Sequence, residues 1–348
     1  MKPGRALHSD IQREISEIDD LVPLKFQAQW EASSSDFINN RILDEHITDT
    51  PDIYFSPSTQ QMLSFWQFNS SDKFPSTKPV QETTLLTLLD NTGAELVLHM
   101  MSLTPRAKTH LGFTVNLNVA RKGFSPAARL FYFKLQVVYD ANCKFVLKCP
   151  IYDAETAKLL LVARMIFVFV PMAKMPKQIE VAKASSSDNS QIRLPQIDAP
   201  DVQALDNNNL LALSQVMNCL PLGIADHKAG LLSMAQRRMA AIIDFGENIA
   251  GPKYYIHGGV LATVLCNASS FLLTKITGVS MMHVATTIWN INYRKGIRVA
   301  SKGVVVDAVV EEPNSKGEII IVTKLVNGND ICTTLETTVT LPKLNTKL

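Results

Sequence analysis

The sequence predicts an α+β protein made of two similar units in tandem, and three observations carry that prediction. Two apolar helical stretches, Leu85 to Ser102 and Val260 to Thr277, share one step: Leu-Asp-Asn at 89–91 and Leu-Cys-Asn at 265–267. After each comes a strand-like block that carries Asn-x-Asn and ends in Arg-Lys-Gly, NLNVARKG at 116–123 and NINYRKG at 290–296. Each half then closes with long blocks of β-branched and aromatic residues, such as KLLLVARMIFVFV in the first and GEIIIVTKLVNGND in the second. Repetition of one element order inside a chain is the signature of a duplicated architecture.

Taken in order, residues 1–55 are mixed and acidic with no clean period, and read as an N-terminal extension of helix and loop suited to a protein partner. Their opening, MKPGRALHSDIQREISEIDD, reads as neither a secretory signal nor an Arg/Ser-rich transit peptide. The first unit spans 56–172, with its first strand at Gln60 to Asn69. The most apolar run, LLLVARMIFVFVPM, contains Arg164 and is too short to cross a bilayer, so it predicts a buried strand and no membrane span. Residues 173–204 are polar and Ser-rich with prolines at 176, 195 and 200, the composition of a flexible linker. The second unit spans 205–348, opening with a short helix at Asn207 to Met217 and one strand from Leu231 to Phe245.

Composition bounds the function. Hydrophobic residues make up 46% of the 348 and charged residues 19%, enough for a large folded core. A net charge of +2 gives no basic field for nucleic acid. Five cysteines, odd in number and without a CxxC pair, point to reduced thiols inside a cell, in cytoplasm or mitochondrial matrix, and away from disulfides or zinc. The histidines show no metal-ligand spacing, so no metal is expected.

The chemistry concentrates at KYYIHGGVLATVLCNASSFLLTKI, 253–276. His257, Gly258 and Gly259 form a turn that runs straight into an apolar helix. Two residues without Cβ let the backbone approach a ligand closely. The unpaired N–H groups of the first helical turn then point at it, an arrangement suited to a thioester carbonyl or a phosphate.

A buried helix preceded by His-Gly-Gly and followed by four antiparallel strands resembles the hotdog fold in its acyl-CoA thioesterase branch. Two such halves resemble the double-hotdog (tandem) arrangement, over roughly residues 55–172 and 205–343. The resemblance implies a pseudo-dimer whose sheets join edge to edge, with sites at the interface between units. There one unit supplies the glycine amides, and the other a carboxylate nine residues after its own histidine position. Nine residues after His257 stands Cys266, and nine before Asp90 stands Gln81. Each half has therefore lost the complementary part, and one composite site is expected: Asp90 facing Gly258 and Gly259. On that resemblance Thr286 corresponds to a water-orienting hydroxyl, with its first-unit counterpart near Gly112 to Thr114. Asn248 corresponds to a substrate-facing residue, and Arg121, Lys122, Arg294 and Lys295 would meet the phosphates of coenzyme A, here part of the substrate and not a cofactor. Leu86, Leu89, Leu261 and Val264 would wall an acyl groove.

Blander readings accompany these. Asp90-Asn91-Thr92-Gly93 is also a helix-ending pattern, the Arg-Lys pairs also suit solvated strand ends, and Cys266 suits a small buried hydrophobe. Two functions follow: an acyl-CoA thioesterase with one site, or a catalytically silent double hotdog recruited as a structural subunit of a large mitochondrial complex such as an ATP synthase or ribosome. Relatives of this kind also assemble further, so a higher oligomer is a third expectation.

Overall fold

The computed structural model describes residues 7–24, 51–68, 80, 82–104, 109–123, 125, 127–141, 143–174, 194–214, 225–246, 249, 251 and 255–341. Among the described residues, fourteen antiparallel strands form one continuous sheet in the order β1-β2-β3-β5-β6-β7-β4-β11-β14-β13-β12-β10-β9-β8. Read from the β4–β11 junction outward, the two arms are the same: β4, β7, β6, β5, β3, β2, β1 on one side and β11, β14, β13, β12, β10, β9, β8 on the other. The chain is a tandem hotdog.

The first arm comprises β1 (Val22–Leu24), β2 (Asp52–Ser56), β3 (Gln61–Gln67), β4 (His110–Arg121), β5 (Leu130–Ala141), β6 (Lys144–Asp153) and β7 (Leu159–Pro171). The second comprises β8 (Gln203–Ala204), β9 (Ala225–Ser233), β10 (Arg238–Phe245), β11 (Thr286–Tyr293), β12 (Val304–Val310), β13 (Ile319–Asn327) and β14 (Asp330–Thr340). The single strand expected over Leu231 to Phe245 is in fact two, because the chain reverses between Ser233 and Arg238 with Arg237 at φ 48°. Its counterpart reverses between Ser56 and Gln61 with Gln60 at φ 50°. The two hairpins are locked alike. Asp20 accepts from the Ser56 hydroxyl and, at 2.7 Å, from the Ser58 amide. Asp201 accepts from the Ser233 hydroxyl and the Ala235 amide, both at 2.7 Å. The duplication thus extends to residues 20–24 and 201–205, DLVPL and DVQAL.

Of the presumed extension, α1 (Ser9–Ser16) lies on its own chain. Leu7 and Ile11 bury against Leu63, Phe65, Leu130 and Tyr132 on the outer face of the first unit's sheet, and Glu14 pairs with Lys134. Residues 25–50 and most of the linker lie outside the described residues.

Each unit's long helix lies against its own strands. The first, α2, spans Glu82–Ser102; a short α3 covers Asn207–Ser214; the second long helix, α4, spans Gly258–Thr277. α2 is apolar nearly all round, with Leu86, Leu88, Leu89, Leu96 and Val97 fully buried, which is what a helix enclosed by sheet and a second helix requires. Full burial of one such leucine contributes about 1.5–3 kcal/mol. α4 stops at Gly278, whose left-handed φ of 70° lets its N–H close on Thr274 O. By length and composition α4 could cross a membrane, but two-thirds of it is buried as the second unit's core helix.

At the seam β4 and β11 pair Asn116 with Asn292 and Asn118 with Asn290, so the two Asn-x-Asn repeats face one another. Asn116 Nδ2 lies 3.0 Å from Asn290 Oδ1 and 2.9 Å from Asn292 Oδ1. Joining the units here removes two sheet edges that would otherwise invite aggregation. α2 and α4 meet beneath the seam, with Thr87 and Thr263 hydroxyls 3.3 Å apart.

Candidate active site

His257 does not enter the helix; it caps it. With φ −57° and ψ 134°, its Nδ1 accepts the Gly259 N–H at 3.1 Å. Nδ1 is therefore the unprotonated nitrogen. Burial lowers the ring's pKa, against the opposing pull of Asp90, and keeps it neutral. The turn is held from behind by His257 N–H on Ile249 O and Ile256 N–H on Ile297 O, and the Tyr293 hydroxyl donates to Gly258 O at 3.0 Å.

Asp90 reaches this turn from the other unit. It lies inside α2, which continues twelve residues beyond it to Ser102, so the helix-ending reading is corrected: Asn91 and Gly93 are interior, and Gly93 is small because Met165 and Phe167 press on it. Asp90 is 4% exposed. Oδ2 accepts the Gly259 N–H at 3.0 Å and lies 3.4 Å from His257 Nδ1; Oδ1 accepts the Thr114 hydroxyl at 2.6 Å. A carboxylate at a helix N-terminus gains from the helix dipole and from charge-assisted N–H donors. Both glycines are required by space. A Cβ on Gly258 would stand 2.8 Å from Asp90 Oδ2, and one on Gly259 would stand 2.6 Å from Thr87 Cα.

A cavity of about 330 Å³ opens beside this cluster. Asp90, Thr114, His257 and Gly258 form its polar end. Phe113, Val168, Val170, Tyr255 and Leu261 supply apolar wall, and Arg294 and Lys295 also line it. Lys295 is ion-paired with Asp330.

The remaining expected residues divide. Of the four proposed groove residues only Leu261 lines the cavity; Leu86, Leu89 and Val264 are spent in the core. Arg121 is corrected: it is 8% exposed, pairs with Glu82 at 3.3 Å, and donates to Met281 O and Val284 O at 3.1 and 2.6 Å. Its guanidinium ties the two units together, buried against Glu82 and two backbone carbonyls and away from the lining of the cavity beside Asp90. Lys122 is exposed, away from the cavity lining, and Asn248 lies outside the described residues. Thr286 faces solvent and bonds Thr340 at 2.8 Å. Cys266 is buried, and burial pushes its thiol up, so it is no nucleophile at neutral pH. It stands with Glu82 and Thr83 in a second cavity, as the complementary losses required.

Sequence reasoning missed Tyr293 and bracketed Thr114 only within a three-residue stretch. Thr114 was within the stretch considered, but a bulge at Val115 breaks the register: Thr114 pairs with Phe167 and Asn116 with Ile166. The second unit has no such extra residue, and the position matching Thr114 holds Trp289, paired with Thr337. Tyr293 sits between the Asn-x-Asn and Arg-Lys-Gly signals and could have been read as a strand residue of the seam. Among the described residues, no three His, Cys, Asp or Glu side chains are grouped to hold a metal ion.

No protein-family model matches the chain, and no characterised protein sequence does. Solved structures do. A 12:0-ACP thioesterase from Umbellularia californica is 10% identical with TM-score 0.46, over 80% of this chain and 94% of that one. An acyl-ACP thioesterase from Bacteroides thetaiotaomicron is 8% identical with TM-score 0.46, over 80% and 97%. The acyl-CoA thioesterase II TesB2 from Mycobacterium marinum is 8% identical with TM-score 0.43, over 84% and 96%.

Proposed function

We propose that this protein hydrolyses acyl-CoA thioesters at the single composite site between its units. The observation that carries the reading is the contact of Asp90 Oδ2 with the Gly259 N–H, 3.0 Å across the interface, at the mouth of an apolar cavity. The thioester carbonyl enters at the N-terminus of α4 and takes the Gly259 N–H from Asp90. That amide, backed by the helix dipole, then stabilises the oxyanion; one such donor is typically worth about 100- to 1000-fold in rate. Asp90, still oriented by the Thr114 hydroxyl, accepts a proton from water as the water oxygen bonds to the carbonyl carbon. The C–S bond breaks, the proton passes from Asp90 to the thiolate, and a carboxylic acid and free coenzyme A leave. Neutral His257 shapes the turn and takes no proton. Arg294 is the cation best placed for a CoA phosphate, since Lys295 already has Asp330.

The test is free-thiol release from a panel of acyl-CoA esters. Turnover that disappears in Asp90→Asn and persists in Cys266→Ala supports the reading. Absence of turnover at every chain length, with the protein recovered in a large assembly, would favour the structural role instead.

A further inference from the structure

A single peptide group links Tyr293 to Asp90. Gly258 C=O and Gly259 N–H belong to one amide, and in a trans peptide they point in opposite directions. The N–H end meets Asp90 Oδ2 at 3.0 Å and His257 Nδ1 at 3.1 Å. The C=O end accepts the Tyr293 hydroxyl at 3.0 Å. Gly258 is the first residue of α4, so its carbonyl has one lone pair for the helix and a second for the phenol. Tyr293 is the last residue of β11 and lines the same cavity as Asp90. Burial, with the Asp90 charge nearby, pushes the phenol well above its ordinary range, so it keeps the proton it donates.

The two halves differ at this position. Tyr293 follows the second asparagine of NINYRKG, and the residue in that place in NLNVARKG is Val119. Val119 is fully buried and offers no donor. The start of α2, in the same unit as Val119, carries Glu82 and Thr83 where α4 carries its two glycines. An aliphatic side chain therefore satisfies packing at this strand position, and packing alone gives no reason for a phenol. The hydroxyl occurs only in the unit that keeps the glycine turn.

We propose that Tyr293 is a positioning residue of the composite site: its hydroxyl fixes the Gly258–Gly259 peptide and strengthens the Gly259 N–H, first toward Asp90 and then toward the oxyanion. A hydrogen bond accepted by an amide oxygen draws electron density toward that oxygen and makes the N–H of the same amide a better donor. Such cooperativity is worth about 10–30% per bond. An oxyanion donor is typically worth about 100- to 1000-fold in rate, and a tenth to three-tenths of that on a logarithmic scale is about 2- to 8-fold in kcat. The catalytic consequence rests on the thioesterase reading given above; the polarisation of the peptide does not.

The experiment exploits the one Gly-Gly pair in the sequence, Gly258–Gly259. Full-length protein made by cell-free synthesis with [1-¹³C,¹⁵N]glycine contains one labelled amide bonded to a labelled carbonyl. An HNCO spectrum then shows a single cross-peak, which reports the Gly258 carbonyl and the Gly259 N–H together. Tyr293→Phe is expected to move both the carbonyl carbon and the amide proton upfield. Replacing Tyr293 by 3-fluorotyrosine, a stronger donor of nearly the same shape, is expected to move both downfield, and it serves should Tyr293→Phe not fold. In acyl-CoA hydrolysis, kcat should fall about 2- to 8-fold in Tyr293→Phe and rise above wild type with 3-fluorotyrosine, with KM nearly unchanged in both. A side chain that only fills space would give equal kcat with tyrosine and 3-fluorotyrosine. Shifts in the expected order in a protein that hydrolyses no acyl-CoA would sink the thioesterase reading and uphold the polarisation. The proposal is overturned by a Gly259 amide proton that stays in place across the three side chains, with or without hydrolysis, or by kcat that does not follow donor strength in a protein that does hydrolyse.

Discussion

Replacing Gly258 by alanine probes the site without touching a functional side chain. The added Cβ would stand 2.8 Å from Asp90 Oδ2, about 0.6 Å inside ordinary contact, and 3.4 Å from Cγ and Oδ1. The backbone of α4's first turn is fixed by the His257 cap and by Tyr293, so the carboxylate must give way. A retreat of about 0.6 Å stretches the Gly259 N–H contact from 3.0 Å to beyond useful hydrogen-bond length. The charge-assisted bond so lost is worth about 1.5–3 kcal/mol, and a misplacement of this order typically costs about 100-fold in rate. Acyl-CoA hydrolysis followed by thiol release should therefore fall about 30- to 100-fold in kcat, with KM nearly unchanged and thermal unfolding shifted by only a few degrees. The neighbouring Gly259→Ala behaves differently, because its Cβ meets Thr87 Cα, backbone that cannot swing aside. It should lose about 1–3 kcal/mol of stability as α2 and α4 are forced apart. If Gly258→Ala retained full activity, Asp90 would not be acting from where it sits.

Three further outcomes follow from the same geometry. Thr114→Val removes the 2.6 Å donor to Asp90 Oδ1 and should lower kcat about tenfold while Thr114→Ser restores most of it, read by steady-state kinetics. Arg121→Ala leaves Glu82 buried without its partner and should cost about 3–5 kcal/mol in denaturant unfolding, whereas Arg121→Met with Glu82→Leu should recover most of that. Burial pushes the Glu95 carboxyl up from 4.5 to about 8, so the native state holds its proton where the unfolded chain has released it, and stability falls as pH rises from about 4.5 to 8. Glu95→Gln should accordingly stabilise the protein by about 3 kcal/mol at pH 7 and hardly at all at pH 4.5, measured by urea denaturation at the two pH values.

How much of this could be read from sequence depends on how local the signal is. The His-Gly-Gly turn and its helix were legible because capping, glycine and apolar runs act within a few residues. The duplication was legible because Asn-x-Asn and Arg-Lys-Gly recur in the same order at nearly equal spacing, and the seam then makes those asparagines face each other. The nine-residue spacing that the family resemblance implies singled out Asp90 and Cys266 as matching positions, one with the carboxylate and one without. What failed was non-local. Arg121 looks like a free basic pair until Glu82, thirty-nine residues away, closes on it. Leu86 and Leu89 share a helix with Asp90 but face the core. The hairpin at Ser233 was merged into one longer strand, and the strand before the Ser56 turn was left in the N-terminal extension, because neither turn carries glycine; Gln60 and Arg237 take positive φ, and the turns are held by Asp20 and Asp201 on distant segments. Thr114 was blurred by one bulged residue, since a single insertion reverses which face of a strand each side chain occupies.

The central claim is that a carboxylate from one unit and a glycine turn from the other act on one reacting carbon. The most direct measurement is a kinetic double-mutant cycle on kcat/KM with Asp90→Asn and Gly258→Ala. Groups working as one unit are strongly non-additive, so the double variant should be no slower than Asp90→Asn alone. If the two losses multiplied as independent factors, the two halves would not share a site.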